Sequence, residues 1–149
     1  MAAYAVEFNR TASTTLSLGT VGADATRPRR GRWFMGMFSC EGASADNVFK
    51  YVVQWCSALG TSTGVTPTPL DPADAATESD AGENHTVDAT YIAGRVVLAF
   101  ALNQRAIFQW HAAPGGELVY PATAANGLGI STPTAAALAI TATVHYREE

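Results

Sequence analysis

The stretch Val48-Phe-Lys-Tyr-Val-Val-Gln-Trp-Cys-Ser-Ala-Leu59 decides the fold class. Phe49, Tyr51, Val53 and Trp55 recur at period two on one face, with Lys50 and Gln54 on the other. A helix would scatter those aromatics around its wheel, so the alternation argues for a strand. Directly after it comes Gly60-Thr-Ser-Thr-Gly-Val-Thr-Pro-Thr-Pro-Leu-Asp-Pro72. Gly60 and Gly64 permit backbone angles that other residues avoid. Pro67, Pro69 and Pro72 each fix φ and remove a backbone donor, so no ladder is expected through them. With the Thr and Ser hydroxyls between them, the segment reads as an extended, ordered arm. An arm leaving a strand has to lie on something, which points to attachment to a neighbour rather than enclosure of a reaction.

Outward from this stretch the pattern stays β. Strands are expected at residues 3–9, 12–18 and 138–146 from alternation, at 33–40 from a dense apolar run, and at 90–102, 106–112 and 118–120. Residues 19–31 read as a loop rich in Gly, Ala and Arg, with Pro28 inside it. Residues 32–41 and 47–59 are expected to form a hairpin turning near 43–44. Residues 60–88 read as one long excursion without strands, containing a single helical turn with Asp71 as N-cap and Pro72 at its first position. Turns are expected at Asn103-Gln104, Pro114-Gly115-Gly116 and Asn126-Gly127, with coil before the last. About eight strands and no long helix predict an all-β fold, a single-domain sandwich over residues 1–149 of jelly-roll type. An immunoglobulin-like sandwich is the alternative, but its disulfide-plus-Trp spacing is missing.

Composition bears on the surface. Charged residues make up only 15% of the chain, where about 25% is usual. The 28 Ala and 17 Thr leave much of the exterior small and uncharged, which fits either an Ala-rich genome or a surface meant to be covered. The net charge of −4 is unevenly spread. Residues 60–88 carry Asp71, Asp74, Glu78, Asp80, Glu83 and Asp88 with no Lys or Arg, whereas Arg27, Arg29, Arg30 and Arg32 cluster in one loop. An acidic chain is a poor phosphate binder, so nucleic acid is not an expected partner. The arginines by themselves read as a solvated turn, or as a contact for nucleic acid or an acidic partner. The chain has no signal-peptide pattern at its start and no apolar run of membrane-spanning length, so synthesis in the cytosol and no membrane partner are expected.

Chemistry leaves few traces. Cys40 and Cys56 fall too far apart on the expected hairpin for a disulfide and read as free thiols. His85, His111 and His145 lie in different elements with no metal-binding spacing, so no metal is expected. Asp71, Asp74, Glu78 and Asp80 lack the calcium-loop pattern. Gly129-Ile-Ser131 lacks the second glycine of a nucleophile elbow. Trp33, Trp55 and Trp110 read as core rather than as a sugar platform. No catalytic residue, cofactor or enzymatic activity is expected.

The aromatic strand 48–59 with Trp55, the Thr/Pro arm, the Ala/Asp-rich stretch from Asp71 to Thr86 with its Asn84-His-Thr86, and the closing strand together resemble small structural proteins of tailed-bacteriophage heads, the capsid decoration or cement class. The likeness covers roughly residues 48–88; the Arg27–Arg32 loop has no counterpart in it. It implies a β-sandwich on the outer surface of a virion, bridging units of the major capsid protein and associating with itself as a trimer. A contact with capsid or subunit is expected at Thr61, Thr63, Val65, Thr66, Pro67, Thr68, Pro69 and Leu70 of the arm, and at Arg27, Arg29 and Arg30. A tail or baseplate subunit, or a carbohydrate-binding sandwich, is the alternative.

Overall fold

The computed structural model describes residues 1–134 and 137–149. Among them run twelve strands and no helix. In chain order they are β1 (Ala3–Thr11), β2 (Gly19–Ala23), β3 (Gly31–Cys40), β4 (Val48–Ala58), β5 (Thr61–Gly64), β6 (Thr68–Pro69), β7 (Ser79–Val87), β8 (Thr90–Asn103), β9 (Phe108–His111), β10 (Leu118–Tyr120), β11 (Gly127–Ser131) and β12 (Ala139–Glu148). One sheet has the order β10-β3-β12-β1-β6, with β9 also on β3; the other has the order β5-β7-β2-β11-β4-β8.

Without β5 to β7 the order is a jelly roll. One sheet is then β1, β12, β3 and the collinear pair β9 and β10, while the other is β2, β11, β4 and β8. With β9 and β10 counted as one position, the chain crosses between sheets at every step except β4 to β8, which gives the two Greek keys of that fold. The all-β sandwich therefore stands. Twelve strands replace the expected eight, because one position is split and the arm contributes three.

Period-two patterning builds the core. In β12, Ile140, Ala142, Val144 and Tyr146 are buried at alternate positions. They meet Tyr4, Val6, Phe8, Trp33 and Phe38 from β1 and β3, and Tyr51, Val53, Leu128 and Ile130 from the other sheet. Phe38, Tyr51, Phe100 and Phe108 cluster across the gap, with centroids 5.3 Å apart for Phe38–Tyr51 and 4.1 Å for Phe100–Phe108. Burying side chains of this size contributes about 1.5–3 kcal/mol each, and the ring contacts add to that.

Several expectations fail for identifiable reasons. Residues 32–41 and 47–59 are not a hairpin. β3 pairs with β12, β9 and β10, while β4 pairs with β11 and β8 in the opposite sheet. The two strands touch through the core instead, where Tyr51 Oη donates to Ser39 O at 2.9 Å. Cys40 and Cys56 are free thiols, as expected, but because they sit in different sheets. Residues 12–18 form no strand. The Ser13 hydroxyl accepts from the amides of Thr15 (3.3 Å) and Leu16 (3.2 Å) and bends the chain.

The strand comes later, at Gly19–Ala23, and every residue of it is buried. Its glycines serve close approach, not turning. A Cβ on Gly22 would lie 2.7 Å from Leu59 Cδ2 and 2.6 Å from Asn126 O. Only residues 24–30 remain loop, organised by Asp24, whose Oδ1 accepts from the amides of Thr26 and Arg27, each at 2.7 Å. Gly127 likewise opens β11 rather than a turn; the bend precedes it, where Asn126 N donates to Thr123 O at 3.0 Å. The turns at Asn103 and at Pro114-Gly115 form as read, closed by Ala106 N to Asn103 O and Gly116 N to Ala113 O at 2.9 and 2.8 Å.

Candidate functional site

The arm is part of the sandwich. From Gly60 the chain returns along β7 as β5, then Val65 N donates to Ala81 O at 2.9 Å. β6 crosses to the other sheet and pairs with β1, with Thr68 opposite Ala5 and Pro69 opposite Tyr4, and Leu70 N donates to Ala3 O at 2.8 Å. The expected helical turn at Asp71 is a single β-turn, closed by Asp74 N to Asp71 O at 3.0 Å, with Asp71 Oδ1 accepting from Ala73 N. β7 then pairs with β2. Residues 60–88 thus close one side of the molecule over both sheets. The prolines are compatible because β6 is a two-residue edge strand, where a missing donor costs nothing.

This fixes what the arm presents. Thr61, Thr63, Thr66, Thr68 and Leu70 are exposed, Val65 and Pro69 are half-buried, and Pro67 is buried. Val65 packs against the core. The outward surface is a ridge of threonine hydroxyls with one apolar tip, Leu70, at 47% exposure.

The arginine loop is largely neutralised by the chain itself. Arg27 pairs with Glu78 at 3.1 Å, and Arg30 and Arg32 with Glu149 at 3.9 and 2.7 Å. Arg29 makes no ion pair among the described residues and lines a shallow cleft with Tyr4, Glu78 and Glu148. At the floor of this region Glu148 binds the far end of the arm. Its carboxylate accepts from Ser79 Oγ (2.6 Å), Thr77 Oγ1 (3.0 Å) and Glu78 N (3.1 Å). Tyr120 and Tyr146 extend the network to Ser79 and Thr77. The basic loop and the arm's return therefore share one surface, held together by internal charge.

The opposite side of the same sheet is different. Among the described residues β8 ends the sheet, with no strand beyond it. Its segment Val96-Val-Leu-Ala-Phe-Ala-Leu102 contains no charge. Val96 is 49% exposed, and Ala99 and Ala101 are exposed beside it. Upstream, irregular pairing with β4 throws residues 92–95 outward, where Gly94 takes φ 72° and Arg95 lies over the Trp55 ring at 5.7 Å. From Leu98 to Asn103 the ladder to β4 is regular.

Polar side chains inside the molecule are ties, not reactive pairs. Ser17 is fully buried, and its hydroxyl bonds Asp88 Oδ1 at 2.5 Å and Tyr91 Oη at 2.6 Å. His85 is 1% exposed; its Nε2 meets Leu59 O at 3.0 Å and Thr20 Oγ1 at 3.3 Å. Burial holds the His85 imidazole below its ordinary pKa, and burial pushes the Cys56 thiol up to about 12. Trp33 is buried at 1% exposure, and Trp55 and Trp110 pack against the core. Among the described residues no three His, Cys, Asp or Glu side chains gather as a metal site, and no helix is long and apolar enough to cross a membrane.

Sequence reasoning placed His111 and His145 far apart, yet the sheet brings them one strand from each other. Met35 of β3 faces His111 of β9 on one side and His145 of β12 on the other. No spacing rule finds such a row, because it is made by strand order. No family model matches this chain, and no curated protein matches it either.

Proposed function

We propose that this protein is a virion structural subunit, a decoration protein that binds the outside of an assembled phage head and bridges units of the major capsid protein as a trimer. The observation that carries the reading is the free β8 edge. A continuous apolar run such as residues 96–102 belongs, in most sheets, to a strand covered on both sides. Here it terminates a sheet, which is the arrangement that recruits another strand or sheet. The reading assigns that edge to a second copy of the chain.

The capsid contact is then left to the threonine ridge of residues 61–70 and to Arg29. Exposed hydroxyls on a pinned backbone lose little entropy on binding. A weak contact of this kind gains strength when several copies bind together. A subunit that binds only the assembled lattice stabilises it by mass action.

The experiment follows from the fold. Deleting the arm would remove β5 to β7 and unfold the sandwich, so surface substitution is the informative change. Thr61→Glu, Thr66→Glu and Thr68→Glu together should abolish co-sedimentation with expanded heads while leaving the oligomer intact. Co-sedimentation unchanged by the triple substitution overturns the arm contact, and a monodisperse monomer by sedimentation overturns the trimer.

A further inference from the structure

We propose that His111, Met35 and His145 form a binding site for a soft monovalent metal cation of the Cu(I) class on the outer face of the β9-β3-β12 sheet. The register is the starting point. Met35 stands directly opposite His111 on one flank and His145 on the other. Directly opposed residues point to the same face of a sheet. Trp33, Phe38, Val144 and Tyr146 occupy the inner face, so the row faces outward. Opposed Cβ atoms lie about 4.5–5.5 Å apart, which puts the two imidazoles about 10 Å apart at the backbone with a thioether between them. His111 and His145 thus flank the Met35 thioether on one face, each a single strand away.

The local structure prepares the row. The β3–β12 register shifts between His145 and Tyr146, leaving Phe34 as the unopposed residue. Its ring meets the His145 imidazole edge-on at 6.0 Å and walls one end. Arg147, the nearest cation on β12, lies over the Phe34 ring at 4.8 Å, with its charge engaged there. Gln109 Nε2 approaches Met35 Sδ at 3.9 Å, a weak contact that a metal would replace.

The donor set selects the ion. Two imidazole nitrogens and one thioether sulfur form a soft site without a carboxylate. Calcium and magnesium want oxygen ligands and are excluded by that chemistry. Zinc accepts imidazole but favours thiolate or carboxylate over thioether.

The test uses the whole chain with Cys40→Ala, which removes the half-buried thiol as a competitor, under anaerobic conditions with ascorbate. Cu(I) is titrated against a chromophoric Cu(I) chelator, and circular dichroism checks the fold of each variant. One equivalent per chain is expected to bind. Met35→Leu should weaken binding by about 10-fold or more, and so should His111→Gln. His111 is exposed, so its substitution leaves folding untouched and keeps the test decisive. Undiminished affinity in either variant overturns the site, as does loss of binding on removing Cys40 alone.

Discussion

The two edges of one sheet are built by opposite rules. At one end, β5 is four residues long, polar and glycine-terminated, and the chain beyond it folds across to cap the other sheet through β6. At the other end, β8 is fourteen residues long and carries an uncharged apolar run. A short, polar, strapped edge resists pairing with another chain, whereas a long apolar edge invites it. The bulged residues 92–95 and Arg95 protect only the upstream part of β8. The fold thus closes one side by its own arm and, among the described residues, leaves the other uncovered.

The closed side should break hardest. Glu148→Ala removes the acceptor shared by Ser79, Thr77 and the Glu78 amide. Hydrogen bonds to a charged group contribute about 1.5–3 kcal/mol each but not additively, so a loss of about 2–3 kcal/mol is expected. In a domain of this size that lowers Tm by roughly 5–10 °C. Hydrogen exchange should speed up first in β7 and the arm. Equal acceleration everywhere, or an unchanged Tm, would show that the arm is held by packing alone.

The open side should break without unfolding. Ala99 stands opposite Val52 and Ala101 opposite Lys50, both exposed. Ala99→Lys with Ala101→Glu places a charge of each sign on the edge, with the glutamate beside Lys50. Self-association measured by sedimentation should weaken about 10-fold to 100-fold, or about 1.4–2.7 kcal/mol, while thermal stability stays within about 0.5 kcal/mol of the parent. An unaltered oligomer places the subunit contact elsewhere.

How far these edges were legible follows from what a sequence encodes. Period two in Val48–Ala58 and in Ala139–Glu148 gave the strands and the core, because alternation reports which face is buried. It does not report the hydrogen-bonding neighbour. For that reason β3 and β4, adjacent in the chain and alike in pattern, suggest a hairpin and yet lie in opposite sheets. Gly19–Ala23 looked like a loop because Gly and Ala signal turns, whereas here they allow Leu59 to press on the sheet. Pro67, Pro69 and Pro72 marked a stretch without a central ladder, which holds, but edge pairing on β1 and β7 needed few donors. Thr61, Thr63 and Leu70 are exposed, whereas Pro67, read with them, is buried. The Arg27 and Arg30 charges are spent on Glu78 and Glu149, partners no local pattern reveals.

Acid should loosen the closed side next. His85 in β7 ties that edge to the start of the arm through Leu59 O. Burial depresses its pKa below the ordinary 6.5. Between the folded and unfolded values the unfolded chain binds more protons, so stability is full above about 6.5 and falls as pH drops through the folded value. Tm should therefore decline by a few degrees from pH 7 to pH 5. His85→Gln, which keeps a donor toward Leu59 O, should flatten that decline. A Tm that rises on acidification reverses the sign and rules out His85 as its source.

The smallest effect is the sharpest control. Thr63 on β5 stands opposite Glu83 of β7. Thr63→Lys therefore puts a charge on the edge that is already closed, next to a carboxylate of opposite sign. A cross-strand pair of this kind contributes about 0.2–1 kcal/mol when fully formed and less when exposed. Stability should stay level or rise by a few tenths of a kcal/mol, and sedimentation should not move. If the same kind of charge placed on β8 weakens self-association, the difference between the two edges lies in what covers them rather than in the tolerance of strands for lysine. A Thr63→Lys variant that falls apart into monomers would invert the assignment and make β5 the subunit contact.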